Sequence, residues 1–260
     1  MDLRGAVVVV TGASAGIGEA TATAFARRGA TLVLAARRRD RIEELADRIE
    51  RAGGRALAVR CDVAEPSQLA SLAAVVDEAF GRTDVLISNA GVPGGRFADL
   101  GVDDIERIVR VNLLGVLYGA HAFLPGMRRQ GRGHIVNVAS IAGRFAAPGA
   151  EVYTATKHAV VAFSESLHLS TAPDGVSVTA VNPGFVRTEA FRAAGVPEWF
   201  VLDVDRVSDA IVRVVRDGIA PEVTVPRWIA PFEAFRVLTP PLYRWGMRTI
   251  SGATRRRAHP

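Results

Sequence analysis

A tyrosine and a lysine four residues apart give the clearest chemical signal in this chain of 260 residues. Tyr153 and Lys157 lie in a stretch with helical periodicity, so both side chains project from one face of the helix. A free tyrosine has a pKa of about 10, which is too high for ready proton exchange near neutral pH. A neighbouring ammonium favours the tyrosinate and lowers that barrier. The pair is therefore a candidate proton donor and acceptor.

Lys157 is the only lysine in the sequence, and all the other basic side chains among the 32 are arginines. A lysine is a compact charge with rotatable donors, which suits contact with a phenol and with sugar hydroxyls better than a planar guanidinium does. A Tyr-x-x-x-Lys spacing by itself is more often just one face of a surface helix. The assignment therefore depends on the rest of the sequence.

A glycine cluster follows the first apolar run, in the stretch from Thr11 to Gly18. Gly12, Gly16 and Gly18 would let the backbone turn tightly and approach a pyrophosphate, whose charge the free N–H groups of the next helix would stabilise. The spacing is Gly-x-x-x-Gly-x-Gly, not the commonest dinucleotide pattern. An ordinary strand-to-helix turn is the alternative.

Short runs rich in Val, Ile, Leu and Ala alternate with helical patterns along the chain. Runs that are apolar on both faces predict a parallel sheet covered by helices on both sides, hence a doubly wound α/β fold. No linker or repeat divides the chain, so residues 1–260 are predicted to form one domain. The predicted strands are 6–11, 31–35, 56–60, 85–88, 134–138, 176–181 and 222–225, and the predicted helices include 17–28, 41–52, 66–80 and 152–171.

The composition, with 49% hydrophobic and 23% charged residues, is that of a globular protein with a large core. The net charge of +5 raises the question of nucleic-acid binding. However, the arginines are scattered, and neither zinc-finger spacing nor an RNA-recognition sequence accompanies them. We predict solvated arginines, no nucleic-acid partner and no metal site. One cysteine, Cys61, and an apolar run at 6–10 that is too short to span a membrane lead us to expect a cytoplasmic protein.

Several separated motifs occur in a fixed order, and together they resemble the short-chain dehydrogenase/reductase family over roughly residues 5–190. The resemblance implies a single-domain Rossmann fold with a mostly parallel seven-stranded sheet and a nicotinamide cofactor. It also implies a homodimer or homotetramer packed through the helices around 105–127 and 152–171. The motifs are Thr11-Gly12-x-x-x-Gly16-x-Gly18, Asn89-Ala90-Gly91, Asn112, Ser140, Tyr153-x-x-x-Lys157 and Pro183-Gly184.

The resemblance assigns catalytic roles to four residues. Tyr153 would transfer the proton, Ser140 would donate to the substrate oxygen, and Lys157 would lower the pKa of the tyrosine. Asn112 would hold a water that links the lysine to solvent. For Asn112 the alternative is a residue at a bend of the helical stretch 105–119.

The resemblance also implies a set of cofactor-binding residues. Asp62 and Val63 would contact adenine, although an ordinary acid at a helix entrance competes with that interpretation of Asp62. Asn89 would steady the sheet beside small residues that line the cofactor channel. Pro183, Gly184, Val186 and Thr188 would contact the nicotinamide carboxamide. The complete set is Gly12, Ser14, Gly16, Ile17, Gly18, Arg37, Arg38, Asp62, Val63, Asn89, Ala90, Gly91, Tyr153, Lys157, Pro183, Gly184, Val186 and Thr188.

The end of the second predicted strand indicates which nicotinamide cofactor is used. An acid at this point would bind the ribose hydroxyls of NAD, whereas an arginine pairs with the 2′-phosphate of NADP. Positions 36–38 contain no acid, and we assign Asp40 as the cap of a helix that begins at Arg41. We therefore predict NADP(H) over NAD(H), with Arg37 binding the phosphate and Arg38 assisting. Solvated arginines at a helix entrance are the alternative.

Residues 188–204 are predicted to form a substrate lid, and residues 226–260 an aromatic and basic carboxyl-terminal extension. In the lid, Phe191, Trp199, Phe200 and Leu202 suggest an apolar pocket. Prolines divide the extension into two short predicted helices, 229–238 and 242–250. We favour packing of the extension over the cleft or against a second subunit, with contact at a membrane surface as the alternative.

These observations predict an NADP(H)-dependent oxidoreductase that interconverts a carbonyl and an alcohol by hydride transfer. The small-molecule substrate is expected to be a hydrophobic ketone, aldehyde or secondary alcohol. One alternative is an NADP-binding sensor or scaffold without turnover, although such a protein would not need Ser140, Tyr153 and Lys157. The other is a lipid-type reductase that works at a membrane surface.

Overall fold

Seven parallel strands form one sheet, and their order across the sheet is 55–60, 31–36, 7–11, 85–88, 133–138, 176–183 and 222–225. The computed structural model describes residues 1–189 and 196–242, without the side chains of Glu233 and Ala234. The strands of the main sheet are β1 (Val7–Thr11), β2 (Thr31–Ala36), β3 (Arg55–Arg60), β4 (Val85–Ser88), β5 (Gly133–Val138), β6 (Val176–Pro183) and β9 (Glu222–Val225), and two short strands, β7 (Phe185–Val186) and β8 (Val201–Leu202), pair separately.

The central strands are buried on both faces because their side chains are almost all apolar. In β1, Val8 pairs with Leu32 on one side and with Val85 on the other, and all three side chains are fully buried. Each of the seven predicted strands is present, with bounds that differ by at most two residues. The predicted fold, a doubly wound parallel sheet with helices on both faces, is confirmed.

Eight α-helices lie within the part of the chain that the structure describes; seven precede the last strand, β9, and one follows it. Helix α2 begins at Arg39 and not at Arg41, so the assignment of Asp40 as its cap was wrong. Asp40 lies instead in the first turn, where a carboxylate interacts favourably with the helix dipole. The helices are α1 (Gly16–Ala26), α2 (Arg39–Arg51), α3 (Pro66–Phe80), α4 (Val102–Val109), α5 (Gly115–Gln130), α6 (Glu151–Thr171), α7 (Val204–Asp217) and α8 (Ala230–Leu238).

The two faces of the sheet bury separate apolar clusters. On one face, α1, α2 and α7 supply side chains such as Phe25, Leu45 and Val215. On the other face, α3 and α5 supply side chains such as Leu72 and Phe123. This arrangement leaves the carboxyl ends of the strands open, where open α/β folds bind their ligands.

Helices α4 and α5 are joined by a π-helical turn at Arg110–Leu114 into one segment, Val102–Gln130. By length and composition alone this segment could cross a membrane. It packs against β4, β5, α3 and α6, so the core of the domain accounts for many of its apolar side chains.

In the carboxyl-terminal extension, the first predicted helix is present as α8. Residues 240–242 begin a further helical turn, and the rest of the predicted helix 242–250 lies outside the described residues.

Candidate active site

The site is built where the strand order reverses between β1 and β4. Loops after β1, β4, β5 and β6 meet at this switch point, which is the ligand-binding crevice of open α/β sheets. The glycine turn follows β1, Asn89 follows β4, Ser140 follows β5 by two residues, and Gly184 follows β6. The topology therefore brings motifs that are far apart in sequence to one sheet edge.

The glycine turn is shaped for close approach of an anion. Gly12 has φ +67°, and a Cβ there would lie 2.7 Å from the Cα of Ala90. A Cβ at Gly18 would lie 2.3 Å from the carbonyl oxygen of Gly12, so only glycine fits. Helix α1 begins at Gly16 with no side-chain cap at Ala15. Its first-turn N–H groups thus fit the pyrophosphate of a dinucleotide.

Asn89 fastens the ends of β1 and β4 together. Its amide nitrogen donates to the carbonyl oxygens of Thr11 at 3.1 Å and Gly12 at 3.2 Å. The Thr11 hydroxyl oxygen in turn accepts the backbone N–H of Asn89 at 3.1 Å. These bonds fix the backbone of the turn on which the cofactor would lie. Thr11 was not predicted as a site residue, although its position as the last polar residue of a buried strand is a usable signal.

Asn112 lies fully buried in the π-helical turn, a feature that often occurs at functional sites. Its side-chain oxygen accepts the N–H of Val92 at 2.8 Å, and its amide nitrogen donates to the carbonyl of Val92 at 2.9 Å. The side chain therefore fixes the loop after β4. A Cβ at Gly91 would lie 3.4 Å from Asn112 Oδ1 and 3.9 Å from Lys157 Nζ, so the three residues are neighbours. The water-holding role of Asn112 stays a prediction.

Lys157 and Tyr153 lie on α6 and face the end of β5. The buried Lys157 Nζ donates to the carbonyl oxygen of Val138 at 2.9 Å and lies 5.6 Å from the centre of the Tyr153 ring. Burial lowers the pKa of Lys157 to about 8, because desolvation disfavours the ammonium. The side chain can thus change charge close to physiological pH.

Tyr153 departs from the electrostatic expectation. Burial raises the pKa of Tyr153 above 10, and the hydrogen bond with the Ser140 side chain only partly opposes this effect. Desolvation of the phenolate is therefore the larger of these two effects on the tyrosine pKa. Ser140 Oγ also accepts the N–H of Ala142 at 3.1 Å, which orients its hydroxyl.

Two glycines that were not predicted as site residues allow other segments to approach the catalytic helix. A Cβ at Gly94 would lie 2.7 Å from Tyr153 Cβ, and a Cβ at Gly143 would lie 2.7 Å from the carbonyl oxygen of Lys157. No motif marks these positions. Only the folded packing of their loops against α6 identifies them.

The two arginines after β2 take different directions. Arg38 Nη2 donates to Ser14 Oγ in the glycine turn at 3.1 Å, and Nε does so at 3.2 Å. Arg37 Nη1 instead lies 3.9 Å from Asp62 Oδ2. Arg38, the residue predicted to assist, is therefore the one that contacts the glycine turn, whereas Arg37 faces the end of β3.

Asp62 borders a cavity of about 290 Å³ that Arg37 and Val111 also line. Its carboxylate accepts the N–H of Ala64 at 3.1 Å. Val63 is buried, and a Cβ at Gly115 would lie 2.9 Å from Val63 Cγ2. The side chain of Val63 thus packs into the core, and its predicted contact with adenine stays a prediction.

The segment after β6, which contains Gly184, Val186 and Thr188, passes close to the glycine turn. Gly184 donates its N–H to the carbonyl of Val225 at 2.7 Å. Val186 is buried in β7, and a Cβ at Gly16 would lie 3.2 Å from Thr188 Cγ2. Thr188 therefore lies beside the start of α1, whereas the side chain of Val186 belongs to the core.

In the predicted substrate lid, residues 188–204, one of the apolar side chains lies in the core of the domain and two others form part of an aromatic group. Leu202 pairs with Val186 and is buried in the core, so its assignment to an apolar pocket was wrong. Phe200 contacts Trp199 and Trp228 edge-on, with ring centres 5.4 Å apart in both cases. Phe191 lies outside the described residues.

The reversed strand order, the glycine turn and the Ser–Tyr–Lys set together define an oxidoreductase with a Rossmann-type dinucleotide fold. Residues 6–198 match the family model described as short chain dehydrogenase. The chain thus belongs to the short-chain dehydrogenase/reductase family.

Two sequence relatives extend this comparison. The chain is 42% identical over 192 residues to an uncharacterised oxidoreductase of Staphylococcus saprophyticus, covering 72% of this chain and 77% of the relative. It is 39% identical over 225 residues to glycine betaine reductase of Emericella nidulans, covering 82% of this chain. The alignment spans 18% of the length of that reductase, so the fungal enzyme is a much longer protein.

Solved structures show the same fold. A short-chain dehydrogenase/reductase from Burkholderia phymatum in complex with NAD matches with a TM-score of 0.84 and 30% identity, covering 93% of this chain and 96% of that one. An alcohol dehydrogenase from Thermococcus sibiricus complexed with 5-hydroxy-NADP matches with a TM-score of 0.77 and 30% identity, covering 85% and 95%.

Proposed function

We propose that this protein is an NADP(H)-dependent reductase that converts a carbonyl into an alcohol. The observation that supports this most directly is the convergence of Ser140, Tyr153 and Lys157 at the switch point of the sheet. A sensor or scaffold would need the glycine turn but not a buried lysine beside a half-buried tyrosine. Retention of the whole set therefore favours turnover.

The bound nicotinamide would supply the hydride, and the protein supplies the proton and the orientation. Ser140 donates a hydrogen bond to the carbonyl oxygen of the substrate. Tyr153, kept neutral by its raised pKa, gives its proton to that oxygen as negative charge develops. Lys157, which donates to the carbonyl at the end of β5, would also hold the ribose hydroxyls of the cofactor and would stabilise the resulting tyrosinate.

The preference for NADP rests on the charge at the end of β2. Arg37 and Arg38 follow Ala36, and positions 36–38 contain no acid. The nearest carboxylates instead pair with these arginines: Asp62 lies 3.9 Å from Arg37 and Glu189 lies 3.4 Å from Arg38. Arg38 is held against Ser14, so a 2′-phosphate between the strand end and the glycine turn would meet its guanidinium. Arg37 and Asp62 border the neighbouring cavity, which would take the adenine.

The substrate is proposed to be a hydrophobic ketone or aldehyde. Phe185, Phe200, Trp199 and Trp228 form a continuous aromatic group next to the loop after β6. The protein is proposed to work in the cytoplasm as a homodimer or homotetramer. Exposed apolar side chains on the long helices, such as Val102 and Leu169, support subunit contacts there.

Cofactor oxidation tests the proposal. NADPH and NADH consumption would be measured against a panel of aliphatic, aromatic and steroid-like carbonyls. The proposal requires turnover of at least one carbonyl and a higher kcat/KM for NADPH than for NADH. Tight cofactor binding without turnover of any substrate would favour the sensor, and a preference for NADH would refute the NADP assignment.

A further inference from the structure

Helix α8 is oriented opposite to an ordinary surface helix, which packs its apolar side against the protein and exposes its charges. Among its described side chains, Phe232, Phe235, Val237 and Leu238 are exposed, whereas Arg236 is half-buried. The exposed fractions are 56% for Phe232 and 79% for Leu238. This outward apolar face needs a partner.

Arg236 holds the helix in this orientation. It donates to the carbonyl oxygen of Arg144 and to His158 Nε2, which lies 3.1 Å away. His158 Nδ1 lies 2.9 Å from the carbonyl of Thr154, which can only accept, so Nδ1 bears the proton and Nε2 is free to accept from the guanidinium. The inner side of α8 is thus bonded to the catalytic helix α6, one residue after Lys157.

The apolar face continues beyond α8. Leu242 is exposed after the helix, and Trp228, before it, is half-exposed and contacts Phe200. Trp199 is 78% exposed at the far side of Phe200. Because isolated apolar side chains are common on surfaces whereas contiguous patches are not, this surface is expected to bind something.

The charge of the sequence identifies the partner. Residues 226–260 contain seven arginines and one acid, a net charge of +6, while the whole chain has +5. Residues 1–225 therefore sum to −1. Five of those arginines, Arg244, Arg248, Arg255, Arg256 and Arg257, follow α8 directly. The excess positive charge of the protein is confined to the segment that also presents the apolar face.

We propose that this α8 face, made of Trp199, Trp228, Phe232, Phe235, Leu238 and Leu242, docks on an anionic phospholipid surface. Aromatic side chains would enter the interface while the following arginines pair with lipid phosphates. A second copy of the chain fits less well, because self-association would bring two segments of charge +6 together. Docking would place the catalytic helix close to the bilayer.

Vesicle co-sedimentation of the full-length protein tests this proposal. Phosphatidylcholine vesicles with and without phosphatidylglycerol serve as probes at low and high salt. Wild-type protein is expected to bind the anionic vesicles more tightly, and salt should weaken the binding. Replacing Arg255, Arg256 and Arg257 by Gln should weaken it by about fivefold for each arginine.

A matched pair of double variants tests the apolar face. Phe232→Ser with Leu238→Ser should lower the partition coefficient by at least ~tenfold. The control, Phe97→Ser with Val75→Ser, removes side chains that are 58% and 37% exposed elsewhere, and it should bind as the wild type does. Thermal melting verifies that both variants are folded.

Four results would overturn the proposal. The first is binding that is absent or does not depend on anionic lipid, and the second is equal loss in both double variants. The third is a change of oligomeric mass without vesicles for the α8 variant alone, which would identify the face as a contact between copies. Tighter vesicle binding after deletion of residues 243–260 would equally refute it, because the tail would then be the occupant of the face.

Discussion

Replacing Tyr153 with Phe is the sharpest test of the proposed chemistry, because it removes one hydroxyl and keeps the ring. Tyr153 is half-buried and its hydroxyl is hydrogen-bonded to the Ser140 side chain, so the substitution removes a group that the site holds in place. General acid catalysis contributes ~10²–10⁴-fold to rate. We therefore expect kcat for the best carbonyl substrate to fall by that factor, which corresponds to about 3–5 kcal/mol in the activation barrier.

Stability and cofactor binding should hardly change in the same variant. The lost hydrogen bond to Ser140 contributes about 0.5–1.5 kcal/mol, and the ring still fills its site against Gly94. NADPH affinity, measured by fluorescence titration, should stay within about threefold, since the glycine turn and the arginines are untouched. A fall in kcat with an unchanged cofactor affinity is thus the expected pattern.

Tyr118→Phe is the matched control. Tyr118 lies half-buried on α5 and packs against the core cluster of α3 and α5, so the substitution removes a comparable hydroxyl outside the proposed site. Its kcat should equal that of the wild type. If Tyr153→Phe retained turnover within about tenfold of wild type, the assignment of Tyr153 as proton donor would be wrong.

Three further predictions follow from the charges of the structure. Arg38→Asp should lower the affinity for NADPH by about one to two decades and the affinity for NADH much less, as measured by titration with each cofactor. Equal losses of affinity would mean that the hydrogen bond from Arg38 to Ser14 is purely structural. The pKa of Lys157 is about 8, so the side chain loses its charge above that pH and kcat/KM for reduction should fall. The variant Lys157→Arg should have a lower kcat/KM at every pH but should lack this alkaline decline. Burial lowers the pKa of His134 to about 4, so the folded protein resists protonation of this side chain. The free energy of unfolding, measured in urea, should therefore be highest above pH 6.5 and should fall by up to ~3 kcal/mol as the pH drops toward 4. In His134→Gln the free energy of unfolding should change little over that range.

The fold was predictable because its determinants are local. The strands are apolar runs that only a sheet covered on both faces can bury, and their alternation with helical patterns leaves one architecture. The bounds failed where a cap decides them. Arg38 precedes α2 without a side-chain cap, so the preference of Asp for N-cap positions pointed to the wrong residue.

The sequence predicted which motifs meet at the switch point of the sheet better than it predicted how their side chains are arranged. Residue type alone identifies the glycines that permit a tight turn and the lysine in a chain of arginines. Residue type does not predict the direction in which a side chain points. Arg37 and Arg38 are identical in type and adjacent, and only the folded positions of Ser14 and Asp62 show which guanidinium reaches the glycine turn.

Burial explains most of the remaining failures. Leu202 was assigned to an apolar pocket because it lies in the segment after the Pro183-Gly184 motif, yet its side chain is buried in the core. The same physics reverses the expected shift of Tyr153. A lysine four residues away predicts a lower tyrosine pKa if the pair is solvated, but burial removes water from both groups and disfavours both charges. A neutral tyrosine and a lysine that titrates near pH 8 suit a site that holds its proton until a substrate oxygen can accept it. A nearby positive charge lowers the pKa of a tyrosine and desolvation raises it, and which effect is larger depends on how deeply the site is buried. The spacing of residues in the sequence does not predict that depth.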